Sequence, residues 1–66
     1  MSTLAQNIKK FRKKSGISQD KLSKLAGLTL HTIAKIESGA TRDPRVETVK
    51  KIAAALGCSI DKLLGK

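Results

Sequence analysis

Few residues in this 66-residue chain could carry covalent or metal chemistry. There is one thiol, Cys58, one imidazole, His31, and five carboxylates. A cysteine and a histidine alone cannot form a zinc site, and the sequence places no base that would activate the thiol. The carboxylates include no close pair suited to acid–base work, and there is no glycine-rich phosphate loop. The sequence therefore predicts a non-enzyme, with no catalytic residue, no metal site and no cofactor.

The stretch 29–37 carries side chains suited to another chemistry, hydrogen bonding to nucleic acid. At about 100° per residue, Ile33 and Ile36 fall together and point inward. His31 and Lys35 fall on the opposite arc. A helix that only completes a core does not need an imidazole and a basic residue one turn apart on its outer side. A helix that enters a DNA groove does, so we predict that 29–37 is such a helix.

The charge of the chain agrees with a polyanionic partner. The formal net charge is +9, and no acidic residue precedes Asp20. The basic residues before it are Lys9, Lys10, Arg12, Lys13 and Lys14. Solubility alone would explain a basic chain, but nucleic acid is the commonest partner of a protein with so large a positive charge. The four lysines form either a solvated helix face or a ridge that faces DNA phosphates.

Length and composition limit the class of protein. A chain of this size forms one domain, here 1–66, near the lower limit for independent folding. Its single cysteine excludes an intrachain disulfide, and its longest apolar run, 52–56, is too short to span a bilayer. The N-terminus has no signal-peptide pattern. We expect a cytoplasmic protein.

Turn signals divide the chain into five short helical stretches and leave no room for strands, which predicts an all-α fold. Ser18, Thr29 and Ser59 are suitable N-caps. The second helix has an apolar stripe of Leu22, Leu25 and Ala26. A fourth helix is predicted to begin near Pro44-Arg45, because proline is favoured in the first turn of a helix.

The junction of the second and third helices is the most informative part of the pattern. Ser23 and Ala26 are small, and Gly27 follows them directly. Two helices joined by so short a turn must cross steeply, and small residues permit the close approach. Glycine supplies the positive φ that other residues resist. This pattern predicts a helix-turn-helix at about 18–37.

These residues give the chain a family resemblance. It rests on Ile17-Ser18-Gln19, on the segments 25–27 and 33–39, and on the closing segment 52–64. In these segments the chain resembles the phage-repressor and Cro type of helix-turn-helix domain, also called the xenobiotic-response-element family. The resemblance covers nearly the whole chain and implies a compact five-helix, lambda-repressor-like fold. It also implies a duplex-DNA-binding regulator, usually a dimer on a two-fold symmetric site.

The resemblance assigns candidate DNA contacts. The base-reading positions are Leu30, His31 and Lys35. The phosphate contacts are Ser18, Gln19, Thr29, Thr32, Arg42 and Arg45. Gln19 matches a family glutamine that also braces the base-reading helix.

Alternatives stay open at the three base-reading positions. Lys35 can donate to guanine or to a phosphate. His31 can donate to a base or a phosphate, or be a simple surface histidine. Leu30 departs from the polar residue that the family usually has there, and either contacts a thymine methyl or flanks the core. We favour the groove, because Ile33 and Ile36 already fill the inward side.

Arg12 and Glu37 match a family pair that joins the first helix to the end of the third. Each also lies four residues after an apolar stripe residue, Ile8 and Ile33 respectively. A charge at the edge of such a stripe is partly desolvated and favours an oppositely charged partner. We predict that the two residues pair and orient the base-reading helix. Two solvated surface charges are the alternative.

Family resemblance places the dimer contact near the start of the fourth helix and along the fifth. The matching positions are Val46, Cys58, Ile60 and Lys62. Lys62 stands where an apolar residue would strengthen the contact, so the homodimer is expected to form only on DNA. For Cys58, core packing is the simpler role.

The sequence therefore predicts a transcriptional regulator, with a repressor favoured. The alternative is a protein-interaction module of the same fold, an antitoxin or an adaptor. Single-strand binding is disfavoured because Phe11, the only aromatic residue, is assigned to the core. Membrane binding is disfavoured because no helix has a broad apolar face to spare.

Overall fold

The computed structural model describes residues 3–41 and 43–65, and within them the chain is all-α, as predicted. Five helices follow one another: α1 Thr3–Lys14, α2 Gln19–Ala26, α3 Leu30–Ser38, α4 Val46–Leu56 and α5 Ile60–Leu64. Helix α1 packs against α3 and α5, and α2 packs against α3 and α4. The radius of gyration is 10.1 Å.

Three of the helices begin at the predicted capping residues. The hydroxyl oxygens of Ser18, Thr29 and Ser59 accept hydrogen bonds from backbone N–H groups three residues later. Each bond satisfies a donor that has no partner within its own helix. These caps fix where α2, α3 and α5 start.

One apolar core lies between the five helices. Its fully buried side chains are Ile8, Leu22, Ile33, Ile36, Ile52 and Leu63. Each of the five helices contributes at least one of them, so no helix is stable without its neighbours. The predicted inward orientation of Ile33 and Ile36 is confirmed.

The connection from α2 to α3 has only three residues, 27–29. Gly27 has φ +68°, in the left-handed region, and the backbone N–H of Leu28 donates to the carbonyl of Ser23 over 2.8 Å. Ser23 and Ala26 are buried. The Ser23 hydroxyl donates to the Asp20 carbonyl over 2.6 Å, so the buried oxygen has a partner. Small side chains thus allow α2 and α3 to approach closely at this turn.

The prediction that Leu25 belongs to a buried stripe is wrong. Its side chain is 52% exposed. On a helical projection the buried Leu22, Ala26 and Ser23 share an arc centred away from Leu25. The close approach to α3 draws the buried face toward the small Ser23, which leaves Leu25 on the outer side.

Pro44 lies outside the helix that it was expected to open. Helix α4 begins at Val46, and Arg45 precedes it with extended backbone, φ −62° and ψ 147°. Because Arg45 is the extended N-cap residue, it separates Pro44 from the first helical residue. Pro44 therefore belongs to the loop, and the helix starts two residues later.

Candidate nucleic-acid interface

Helix α3 divides into a buried and an exposed side. Ile33 and Ile36 are buried in the core, whereas His31 and Lys35 are exposed. Leu30, the first residue of the helix, is 46% exposed and so is not a core residue. The three predicted base-reading side chains therefore share the solvent-facing part of α3.

Two hydroxyls meet at the start of α3. Thr29 Oγ1 accepts from the Thr32 backbone N–H over 3.1 Å and lies 2.8 Å from Thr32 Oγ1. Either hydroxyl can donate to the other. Two hydroxyl groups that share one hydrogen bond keep one O–H hydrogen for a further acceptor. The start of α3 can therefore offer a donor to an anion.

The structure brings Arg12 and Glu37 together. Arg12 Nε donates to Glu37 Oε2 over 2.7 Å, and Arg12 Nη2 donates to Glu37 Oε1 over 3.0 Å. The side chains are only 11% and 3% exposed, respectively. This two-pronged geometry is the strong form of an arginine–carboxylate pair. Hydrogen bonding to Glu37 raises the pKa of Arg12 above its ordinary value, although desolvation opposes the rise.

The pair extends to the beginning of α2. Arg12 Nη1 donates to the Ile17 carbonyl over 2.9 Å, and Gln19 Nε2 donates to Glu37 Oε1 over 3.2 Å. The resemblance implied that Gln19 braces the base-reading helix, but the sequence indicated neither its Glu37 acceptor nor the bond to Ile17. Gln19 contacts α3, and it does so at the C-terminal end of that helix. The Glu37 carboxylate, near the end of α3, thus connects the last turn of α1 with the start of α2.

Two further predicted phosphate contacts lie at helix starts. Ser18 is exposed and precedes α2, and Arg45 is exposed and precedes α4 without capping it through its side chain. Arg42 lies outside the described residues. Lys9, Lys10, Lys13 and Lys14 are all exposed along α1.

Comparison with known families decides how this arrangement is classified. A family profile described as "Helix-turn-helix" matches residues 8–63. The chain belongs to the Cro/C1-type helix-turn-helix family. This result confirms the resemblance inferred from residues 17–19, 25–27, 33–39 and 52–64.

Proteins similar to this helix-turn-helix chain are named as regulators. It is 30% identical over 63 residues to the HTH-type transcriptional regulator SinR of Bacillus licheniformis. That alignment covers 96% of this chain and 57% of SinR. The chain is 31% identical over 64 residues to RghRB of Bacillus subtilis (strain 168), an uncharacterized HTH-type transcriptional regulator, covering 97% and 46% respectively. The chain thus spans about half the length of the curated relatives it matches.

A solved structure agrees over nearly its full length. The crystal structure of the restriction-modification controller protein C.AhdI from Aeromonas hydrophila superposes with a TM-score of 0.88 at 27% identity. The match covers 94% of this helix-turn-helix chain and 92% of that one. The five-helix arrangement is therefore shared beyond the helix-turn-helix unit itself.

An apolar groove of about 230 Å³ lies away from α3 on this helix-turn-helix chain. Its lining residues are Leu4, Asp43, Pro44, Val46, Val49, Ile60 and Leu64. Two of the four predicted dimer contacts, Val46 and Ile60, line it. Cys58 instead packs, partly buried, against the core, and Lys62 is exposed but not part of the lining.

Asn7 has a role that the sequence patterns missed. Its Nδ2 donates to the carbonyls of Lys62, over 3.3 Å, and Leu63, over 3.0 Å, at the end of α5. Nearby, a Cβ atom added to Gly65 would lie 2.9 Å from Thr3 Cγ2. In the sequence, Asn7 is visible only as an amide beside the apolar stripe of α1. That position does not identify a partner 55 residues away.

The described part of the chain lacks two other kinds of site. No helix there is long and apolar enough to cross a membrane. No group of three or more potential metal ligands occurs within residues 3–41 and 43–65.

Proposed function

We propose that the chain is a sequence-specific duplex-DNA-binding transcriptional regulator that places α3 in the major groove of each half-site. It acts in the cytoplasm and represses transcription by occupying promoter DNA. Membership of the Cro/C1-type family and relatives named as transcriptional regulators support this proposal. The family is a class of DNA-binding domains of transcriptional regulators and not a class of enzymes, so it supports a binding role.

The observation that carries the proposal is the fixed, exposed outer side of α3. Leu30, His31 and Lys35 face solvent on a helix whose inner side is buried. The buried Arg12–Glu37 pair connects the far end of the helix to α1. A helix held in this way can present a lysine and a histidine to base edges and a leucine to a thymine methyl.

Phosphate contacts on either side of α3 would fix its register on the duplex. The Ser18 hydroxyl accepts from Lys21 N and keeps its own hydrogen for a phosphate oxygen. Thr29 and Thr32 keep one hydrogen between them, and Gln19, Arg42 and Arg45 add further donors.

A second copy of the chain is proposed to cover the apolar groove when DNA is bound. Val46 is 69% exposed and Leu64 is 40% exposed at this groove. Burial of these side chains between two copies would stabilise a two-fold arrangement. Lys62, which the resemblance also assigns to the contact, is exposed and charged but does not line the groove, so we expect weak association without DNA. Family dimers place their base-reading helices about 34 Å apart, one turn of DNA.

Selection of bound sequences from random duplex DNA tests the proposal directly. We expect enrichment of a motif with two-fold symmetry. Enrichment of no motif would refute sequence-specific binding. A motif without symmetry would refute the dimer. Recovery of a stoichiometric protein partner together with weak DNA binding would support the protein-interaction alternative instead.

Sedimentation with and without the selected duplex tests the dimer separately. V46K should weaken cooperative binding to the symmetric site, since it places a charge in the groove. L25K is the matched control, because it also replaces an exposed apolar residue with lysine but lies on α2. Equal behaviour of the two variants would contradict the assignment of the groove. A tight dimer at micromolar concentration without DNA would contradict the weak association that we expect for the free protein.

A further inference from the structure

Helix α5 is too short to hold its position alone. It has five residues, Ile60–Leu64, of which only Leu63 is buried. Isolated helices shorter than about 12 residues are marginal in water, and the carbonyl groups of a last turn have no partner within their helix. The Ser59 hydroxyl caps the start of α5 over 3.2 Å. The position of the other end therefore depends on bonds from elsewhere in the fold.

Asn7 of α1 supplies such bonds. Its Nδ2 donates to the carbonyl oxygens of Lys62, over 3.3 Å, and Leu63, over 3.0 Å, at the end of α5. A side-chain amide has two N–H hydrogens, so it can donate to both carbonyls at once. Asn7 is partly buried, where a hydrogen bond is stronger than in water. The side chain thus ties the end of α5 to the first half of α1.

Helix α5 forms one side of the apolar groove. Ile60 and Leu64 are four residues apart, so they share one face of the helix, and both line the groove. Leu4, which also lines it, precedes Asn7 by about one turn of α1. The Asn7 bonds therefore join the two helices, α1 and α5, that border this part of the groove. Movement of α5 away from α1 would change the shape of the groove.

Helix α3 is oriented by different bonds. The Arg12–Glu37 pair connects its last turn to α1, and neither Asn7 nor α5 takes part in that pair. The orientation of α3 and the shape of the groove can therefore be changed separately.

We propose that Asn7 is a positioning residue for the contact between two copies of the chain, holding α5 against α1 so that Ile60 and Leu64 are in place before the second copy arrives. The inference rests on the proposed function, which assigns the groove to a second copy, and deepens it. An α5 without this tie would have to be ordered when two copies meet, and that loss of entropy would oppose association. Asn7 thereby contributes to cooperative DNA binding, although it does not line the groove.

The first test compares cooperative binding with binding of a single copy, by fluorescence anisotropy. The selected symmetric duplex binds two copies, and a duplex with one half-site binds one. N7A removes both donors. We expect it to bind the half-site within about twofold of the wild type and to lose cooperativity about fivefold, the size of one hydrogen bond. S15A, which removes an exposed hydroxyl just after α1, is the control and should keep wild-type cooperativity. Unchanged cooperativity in N7A, or an equal loss on both duplexes, would overturn the inference.

A double-mutant cycle with V46K separates positioning from general destabilisation. V46K disturbs the groove from α4, on the side away from the Asn7 bonds. If Asn7 acts through the groove, N7A should reduce cooperativity by clearly less in the V46K background than in the wild type. An equal reduction in both backgrounds would overturn the inference.

Amide hydrogen exchange of the free chain tests the tie without DNA. N7D replaces the two donors with a carboxylate that repels the carbonyl oxygens of α5. Exchange should become faster in α5 and stay unchanged in α3. Equal acceleration in both helices would show general unfolding and would overturn the positioning role.

The proposed function and the role of Asn7 fail in different ways. Failure of the wild-type chain to bind any duplex, or to bind a symmetric duplex cooperatively, would overturn the proposed function itself. Cooperative binding by the wild type that N7A leaves unchanged would overturn only the role given to Asn7.

Discussion

Among individual residues, Glu37 has the least exposed charged group in the described part of the candidate interface, at 3%. It accepts hydrogen bonds from Arg12 and Gln19. Removing one member of such a pair leaves the other charge buried without compensation. The stability of this small chain therefore depends on both members being present.

We predict that E37M and R12M each lower the free energy of unfolding by about 3 kcal/mol. The double variant should lose less than the sum, since it leaves neither charge unpaired. Urea unfolding followed by circular dichroism measures all three. E47M is the matched control, because Glu47 is exposed, and should change stability little. Additive losses would show that the two side chains do not interact.

Cys58 is expected to react slowly with thiol reagents. Burial raises the pKa of its thiol, an effect that nearby Lys62 partly opposes. A raised pKa lowers the fraction of reactive thiolate at any pH below it. Alkylation by iodoacetamide at pH 8 should be slower for the folded chain than for the same chain in urea. Equal rates would contradict the raised pKa.

At the scale of the element, the turn geometry of two helix ends can be tested as a matched pair. Gly27 ends α2 with φ +68°, and Gly57 ends α4 with φ +69°. An added Cβ meets no atom within 4 Å at either position. G27A and G57A should therefore each destabilise the fold by about 1 kcal/mol through backbone strain alone. Urea unfolding checks this, and a much larger loss at one position would reveal an additional constraint there.

How far the elements follow from sequence depends on the range of the interactions. The caps at Ser18, Thr29 and Ser59 were predicted because each cap bonds a backbone group only three residues away. Leu25 was assigned wrongly because periodicity does not show from which side α3 approaches α2. Asn7 was missed because its partners lie at the other end of the chain.

In the candidate site, too, short-range patterns predict the local features and miss the long-range contacts. The inward side of α3 follows from the spacing of Ile33 and Ile36, and the resulting outer side carries His31 and Lys35. The bond from Gln19 to Glu37 joins the start of α2 to the end of α3. Only the crossing of the two helices brings these residues together, so no local pattern could indicate it.

At the scale of the whole molecule, the net charge of +9 should give DNA binding a steep salt dependence. The lysines of α1 are not equivalent in this respect. On a helical projection Lys9 and Lys13 lie nearer to the side of Arg12, which contacts α3, whereas Lys10 and Lys14 lie opposite. The first pair is therefore the better candidate for contact with phosphates.

We predict that K9Q/K13Q reduces the slope of log affinity against log salt concentration by about 1 to 2. K10Q/K14Q removes the same charge from the same helix and should change the slope by less than about 0.5. Anisotropy titrations at several salt concentrations measure both. Equal changes in the two variants would indicate a diffuse field instead of a phosphate-facing ridge.

The closeness of Gly65 to Thr3 has a consequence for protein engineering. Because a Cβ added to Gly65 would lie 2.9 Å from Thr3 Cγ2, the start of α1 and the end of α5 lie side by side. A short peptide could join them into a ring without disturbing α1 or α5. Ring closure would restrict the unfolded ensemble. New ends could then be opened in the loop between α3 and α4, giving a circular permutant.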